Sequence, residues 1–221
     1  MADFDVARDK MVENQLRANK VTDPRLTDAM RLIAREDFVP AARRGVAYAD
    51  EDLRLKGDRW LMEPMLFARL AQLAEIGPND LILDVGAGMG YGAAVLAQLG
   101  AAVVALEEDA ELADAAIAAV AGLAGDGADN IFVVKGPLPA GWSGQAPYDV
   151  IVCEGALEVR PDGLLEQLAE GGRLVAMQTG PNGVQRGTVY VKRGDRAAVR
   201  AVFDGSTPVL PGFARAAAFV F

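Results

Sequence analysis

The chain has 221 residues, 52% of them hydrophobic, which suffices for the core of one α/β domain with a small appendage. Its 22 basic and 31 acidic residues leave a net charge of -9, which argues against nucleic acid or an anionic membrane as a partner. It has no histidine and one cysteine, which argues against a zinc enzyme, a Ser-His-Asp hydrolase or an intrachain disulfide, and no metal is expected. Residues 1–20 lack a signal-peptide core, so a cytoplasmic setting is predicted.

The first 75 residues are predicted to form a helical layer that precedes a sheet. Residues 3–20 and Arg25–Arg35 each have an apolar face at helical spacing. A further helix is predicted over Met65–Ala74, because Pro64 suits the first position of a helix. Residues 48–52 are polar and predict a loop.

The stretch Leu81-Ile-Leu-Asp-Val-Gly-Ala-Gly-Met-Gly-Tyr91 joins a predicted buried strand to a predicted helix at 93–97. Its three glycines let the backbone approach a ligand, and the helix start offers unpaired N–H groups. Asp84 lies at the end of the first strand, and a second apolar run, 102–106, ends in Glu107. An acid at that place suits a ribose diol. The pattern therefore predicts a nucleoside-cofactor site, the alternative being a strand-to-helix turn without a ligand.

The nucleoside is not expected to be a dinucleotide. The third glycine of the dinucleotide fingerprint would fall on Tyr91, and Asp84 is awkward beside a pyrophosphate. Asp84 suits a cationic ligand with an amino group and no phosphate, such as S-adenosylmethionine. The pattern resembles the first two cofactor motifs of Rossmann-like methyltransferases, which implies an α/β, doubly wound sheet. The candidate cofactor-binding residues are Asp84, Gly86, Ala87, Gly88, Gly90, Glu107, Glu108, Leu138 and Glu154.

The second half of the chain alternates predicted helices and strands. Glu154 follows a strand and faces the ligand crevice, where it meets the methionine amino group or the methyl acceptor, or else is a solvated loop acid. Cys153 is expected to be a buried strand residue. The predicted elements are a helix over 109–124 broken at 125–127, strands at 130–134 and 148–153, a helix at 162–169, a strand at 173–177, a hairpin of 188–192 and 197–203, and a last strand at 216–221.

Several segments in one order resemble the protein-L-isoaspartate O-methyltransferase family. They include Met11-Val-Glu-Asn-Gln-Leu-Arg17, Arg35-Glu-Asp-Phe-Val-Pro40, the glycine stretch, Ala146-Pro-Tyr-Asp-Val150 and residues 164–175. The resemblance implies S-adenosylmethionine as methyl donor and protein repair as the role. The acceptor would be the carboxylate of isoaspartyl and D-aspartyl residues in aged proteins. A carboxylate is already a nucleophile, so the lack of histidine is no obstacle.

Two segments depart from the family pattern. Family members carry Gly-Gln-Thr-Ile-Ser-Gln-Pro, with its serine against the substrate carboxylate, where this chain has Asp58-Arg-Trp-Leu-Met-Glu-Pro64. The residues predicted to line the acceptor side are Arg59, Met62 and Glu63. In addition, Gly136-Pro-Leu138 replaces a Gly-Asp-Gly that approaches the adenine amino group.

These departures leave three functions open. They are the repair methyltransferase, a methyltransferase with another protein or small-molecule acceptor, and a nucleoside-binding module without chemistry. The chain is predicted to form one methyltransferase domain over 1–221. Its parts would be the helical layer 1–75, the cofactor-binding core 76–180 and the C-terminal strands 181–221. The sequence does not predict an oligomeric state.

Overall fold

The computed structural model describes residues 3–123 and 129–216. Its strands are β1 (Leu53–Lys56), β2 (Arg59–Leu61), β3 (Leu81–Val85), β4 (Ala102–Glu107), β5 (Ile131–Lys135), β6 (Tyr148–Leu157), β7 (Leu168–Thr179), β8 (Gln185–Arg193) and β9 (Arg196–Asp204). Its helices are α1 (Phe4–Met11), α2 (Pro24–Leu32), α3 (Pro64–Leu73), α4 (Tyr91–Leu96), α5 (Ala110–Ala121) and α6 (Asp162–Leu165).

Seven strands form one mixed sheet in the order β5-β4-β3-β6-β7-β8-β9. The first five in this order are parallel, and β8 and β9 are antiparallel to their neighbours. The central strands read as apolar runs because both faces of the sheet are covered. This arrangement confirms the predicted Rossmann-like methyltransferase fold.

Two hydrophobic clusters lie on opposite faces of the sheet. One face packs against the N-terminal helices, α3, α4 and part of α5, and the other against α6 and the segments around Leu138, Leu210 and Phe213. Because successive residues of a strand point to opposite faces, Asp84, Glu107 and Glu154 share the face that carries the N-terminal layer.

The N-terminal layer is helical, as predicted. The chain continues past α1 through a π-helical turn at Val12–Leu16 and a 3-10 turn at Arg17–Asn19. The Asp3 side chain caps α1, and Asp23 caps α2 with Pro24 as its first residue. Among residues 3–123 and 129–216, no helix has the length and apolar character needed to cross a membrane.

The structure differs from the prediction in several places, and one is the helix predicted over Arg25–Arg35, which ends at Leu32 because Ile33 is extended. The short hairpin of β1 and β2 was not predicted, because each strand has only three or four residues and charged residues flank them. The helix predicted at 162–169 ends at Leu165, since β7 begins at Leu168 to pair with Tyr148. Strand β6 also extends to Leu157. The predicted break at 125–127 and all but the first residue of the predicted strand 216–221 lie outside the described residues.

Candidate functional site

Three buried acids lie near the carboxyl ends of three adjacent parallel strands. Asp84 is on β3, Glu107 ends β4 and Glu154 is on β6; their exposed fractions are 0%, 0% and 4%. Asp84 pairs in register with Ala105 on one side and Val152 on the other, so each acid is within a few residues of the same sheet edge. The structure thus brings together the three acids that the sequence singled out.

The glycine turn between β3 and α4 closes against β4. Gly86, Gly88 and Gly90 have φ values of 84°, 56° and 93°, which residues with a Cβ rarely adopt. The backbone N–H groups of Gly86 and Ala87 both donate to the Leu106 carbonyl, at 2.9 and 3.1 Å. The turn is therefore fixed beside Glu107.

The Glu107 carboxylate is surrounded by donors. It accepts backbone hydrogen bonds from Gly88 at 2.8 Å and from Glu108 and Asp109 at 3.0 Å each. It also forms an ion pair with the buried Arg59 guanidinium, in which Nη2 lies 2.8 Å from Oε2 and Nε 3.1 Å from Oε1. This number of donors explains how a fully buried carboxylate is tolerated.

The other two acids have the opposite surroundings. Neither oxygen of Asp84 nor Oε1 of Glu154 receives a hydrogen bond of normal geometry from the described residues. Burial raises the pKa of Asp84 to about 7, and burial together with the nearby Asp84 raises the pKa of Glu154 well above its usual value. Asp84 thus disfavours ionisation of Glu154, because two ionised carboxylates close together repel each other.

A buried arginine lies behind this carboxyl pair. Arg35 is fully buried, and it donates from Nε to the Ala47 carbonyl at 2.7 Å and from Nη2 to the Met62 carbonyl at 2.8 Å. Its guanidinium carbon is 4.8 Å from the centre of the Tyr91 ring. Arg35 Nη1 and the Tyr91 hydroxyl have no hydrogen-bond partner among the described residues. Sequence reasoning gave Arg35 no role, although it begins the segment Arg35-Glu-Asp-Phe-Val-Pro40 that resembles the family.

Glu154 lies directly over α4. A methyl group placed on Gly92 would collide with the Glu154 carboxyl group, so the acid has this position only because residue 92 lacks a side chain. Cys153 is buried, and burial followed by the nearby Asp84 raises the pKa of its thiol. A thiol with a raised pKa is a poor nucleophile, in agreement with its prediction as a buried strand residue.

The three predicted acceptor-side residues lie in different surroundings. Arg59 contacts Glu107, and Met62 is 1% exposed within the hydrophobic core. Glu63 is half-buried before α3, and its backbone N–H donates to Asp52 at 2.9 Å. Burial, and then Asp52 and Asp50, raise the pKa of Glu63 to about 7. A role for these residues toward an acceptor stays a prediction.

An open groove of about 760 Å³ lies outside the Arg59–Glu107 pair. Glu108 and Pro137 line it, whereas Leu138 is fully buried in the second hydrophobic cluster. The other lining residues are Lys56, Gly57, Asp58, Arg59, Asp109, Lys135, Gly136 and Pro211. The described residues contain no group of three or more His, Cys, Asp or Glu side chains arranged for a metal ion.

Comparison with protein families gives a match over residues 7–206 to the model described as Protein-L-isoaspartate(D-aspartate) O-methyltransferase (PCMT). A protein-L-isoaspartate O-methyltransferase of Methylorubrum populi is 40% identical over 190 residues, which cover 86% of this chain and 87% of that protein. One of Koribacter versatilis is 40% identical over 172 residues, or 78% of this chain and 76% of the relative.

Solved structures agree in fold. A structure named protein-L-isoaspartate O-methyltransferase superposes with a TM-score of 0.78 at 24% identity, covering 93% of this chain and 66% of the other. A candidate enzyme of the same name from Plasmodium falciparum, solved with S-adenosyl-L-homocysteine, has a TM-score of 0.73 at 17% identity and covers 92% of this chain.

Proposed function

The chain belongs to the protein-L-isoaspartate(D-aspartate) O-methyltransferase family, and from this premise we propose how its own residues serve an S-adenosylmethionine-dependent methyl transfer. The observation that carries the proposal is the set of three buried acids at adjacent strand ends beside a glycine turn. Two of them, Asp84 and Glu154, accept no hydrogen bond from the described residues, and the third, Glu107, is an acid at a strand end, where a ribose diol is commonly held.

The residues present fit this cofactor. We propose that Asp84 and Glu154 hold its ammonium group, because a cation would supply the donors that their buried oxygens lack. The turn at Gly86, Ala87, Gly88 and Gly90 would approach the nucleoside, and Glu107 would hold the ribose. Glu108 lines the adjoining groove, and we propose that it and the Leu138 backbone border the base.

The bound cofactor supplies a methyl group on a positively charged sulfur. The protein contributes burial, which excludes water, and we propose that the carboxyl pair shares one proton and releases it when a cation binds. No general base is needed for a carboxylate acceptor, since that group is deprotonated at neutral pH. Alignment and desolvation of the acceptor are then the main contributions of the chain.

For the acceptor we propose the isoaspartyl or D-aspartyl carboxylate of damaged proteins, the substrate that the family name gives. One observation favours a second candidate, a different acceptor. Met62 is buried and cannot donate a hydrogen bond, and the neighbouring Glu63, Asp52 and Asp50 repel a carboxylate. We also propose that residues 1–221 act as one cytoplasmic domain.

The test is calorimetric titration with S-adenosylmethionine and S-adenosylhomocysteine, followed by turnover on an isoaspartyl peptide. The matched control is the same peptide with an ordinary aspartate. Binding with turnover only on the isoaspartyl peptide supports repair. Binding without turnover supports another acceptor, and absence of binding supports a module without chemistry.

A further inference from the structure

The ribose-binding acid proposed above is already saturated by the chain itself. Oε1 of Glu107 accepts from Glu108, Asp109 and Arg59, and Oε2 accepts from Gly88 and Arg59. A carboxylate has about four lone-pair directions, so no acceptor position remains for a diol. The three backbone donors belong to the turn and the strand end, whereas Arg59 comes from outside them.

Arg59 is delivered by the hairpin of β1 and β2. It is the first residue of β2, and it is only 5% exposed. A Cβ on Gly86 would lie 2.8 Å from Leu210 Cδ2 and 2.9 Å from Arg59 Nη2, and a Cβ on Gly88 would lie 2.6 Å from Leu55 Cδ1. Arg59 and Leu55 thus bring the hairpin against both glycines, and Leu210 shares the cover of Gly86.

A second ion pair holds the tip of the same hairpin. Lys56 Nζ lies 2.9 Å from Asp109 and 2.9 Å from Glu111, at the start of α5. These groups are more exposed than Arg59, so salt screens them more strongly. The tip turns at Gly57, which has a φ of 51°, and the ladder is irregular between Arg54 and Lys56. The hairpin is therefore attached to the site mainly by side chains.

We propose that Arg59 is a built-in competitor of the nucleoside, which must leave Glu107 before a ribose diol can bind there. Arg59 then sets the affinity for the cofactor, because ligand binding includes the cost of opening the Arg59–Glu107 pair. The apparent dissociation constant is the intrinsic one divided by the fraction of molecules in the open state. This inference rests on the proposed function, since it takes Glu107 as the ribose-binding residue.

The variant Arg59→Met tests the competitor. It keeps the apolar stem and removes the guanidinium, and Glu107 retains three backbone donors, so the variant is expected to fold. We expect its dissociation constant for S-adenosylhomocysteine, measured by calorimetry, to fall about tenfold or more. The melting temperature without ligand should also fall, because the buried ion pair is lost.

The matched control is Arg54→Met on the same hairpin. Arg54 is exposed, its guanidinium carbon lies 5.8 Å from the centre of the Trp60 ring, and its Nε donates to the Gly57 carbonyl at 2.7 Å rather than to Glu107. The dissociation constant of the Arg54→Met variant for S-adenosylhomocysteine should stay within about twofold of the wild-type value. Equal or weaker binding by Arg59→Met overturns the inference while the wild type still binds. Failure of both proteins to bind overturns the proposed function as well.

Hydrogen exchange on the wild-type protein gives a test that needs no variant. We expect the backbone amides of residues 53–61 to exchange faster when S-adenosylhomocysteine is bound, since the hairpin loses its attachment to Glu107. Slower exchange in the bound form would show that the hairpin closes over the ligand, and it would overturn the competitor role of Arg59.

Discussion

Two sets of acids occupy the same face of the sheet, one strand apart, in opposite surroundings. Glu107 has three backbone donors and an arginine, whereas Asp84 and Glu154 have each other and no normal hydrogen bond from the described residues. The first charge is compensated within the folded chain. The second pair forms no salt bridge with the described residues, and burial raises the pKa values of both acids. The burial of an acid alone therefore does not indicate whether its charge is compensated within the chain.

This contrast assigns different tasks to the two subsites. In the proposed function, the carboxyl pair gains donors when the ammonium group binds. Glu107 would exchange Arg59 for the ribose diol, so its net gain on binding would be smaller. Substitutions at the two subsites should accordingly separate stability from affinity.

The largest effect on stability is expected from a substitution at Glu107, whose charge is compensated within the chain. Glu107→Gln would leave Arg59 buried without an anion, and the amide nitrogen would face N–H donors. We expect the free energy of unfolding, measured in urea, to fall by about 3–5 kcal/mol. Glu108→Gln, the exposed neighbour, is the control and should change it by less than about 0.5 kcal/mol. A loss below about 1 kcal/mol for Glu107→Gln would contradict the contrast.

Asp84→Asn should have the reverse effect, with a small change in stability and a large loss of affinity for the cofactor. The Asp84 carboxylate accepts no hydrogen bond from the described residues, so the free energy of unfolding should stay within about 1 kcal/mol of the wild type. Affinity for S-adenosylhomocysteine should fall roughly 10- to 100-fold, because a charge-assisted hydrogen bond to the ammonium is lost. Methylthioadenosine, which lacks the amino-acid end, is the control ligand. A matching loss with methylthioadenosine would move the proposed ammonium site away from Asp84.

Glu154→Gln should sharpen the comparison through pH. Burial and the nearby Asp84 raise the pKa of Glu154 well above its ordinary value, so the stability that this group contributes is full below the ordinary carboxyl pKa and is lost as pH rises through the raised pKa. The glutamine cannot ionise and can donate to Asp84. We expect the difference in the free energy of unfolding, Glu154→Gln minus wild type, to be about 1–2 kcal/mol more favourable to the variant at pH 8 than at pH 5. Parallel unfolding curves at both pH values would refute the shared proton.

The smallest effect is expected at Glu63. Its pKa is also raised to about 7, but the residue is only half-buried, so solvent screens much of the interaction. The sign is the same, and stability is lost as pH rises through about 7. Glu63→Gln should reduce the change in unfolding free energy between pH 5 and 8 by less than about 1 kcal/mol. Urea unfolding at the two pH values measures this change, with Glu51→Gln as an exposed control. A larger change for Glu63→Gln would contradict the screening of Glu63 by solvent.

The features predicted from the sequence were local ones. The strand ending at Asp84, the glycine turn and the strand ending at Glu107 each carry their signal within about ten residues. Parallel strands place their carboxyl ends at one edge, and this rule brought Glu154 into the same site. The resemblance to a known family agreed with all of these positions.

What could not be predicted depends on long-range contacts. Arg59 was assigned to the acceptor side, yet its guanidinium reaches an acid 48 positions later in the chain. The hairpin that carries it is too short for a periodic pattern to identify. The number of hydrogen-bond donors around Glu107, and the lack of donors from the described residues around Asp84, likewise depend on how the loops pack. The spacing of residues in the sequence does not indicate this packing.

The contact between Gly92 and Glu154 has a consequence for descent within the family. Residue 92 can be anything larger than glycine only where position 154 carries a smaller side chain, because the two groups compete for one space. The two positions are therefore expected to change together as relatives diverge.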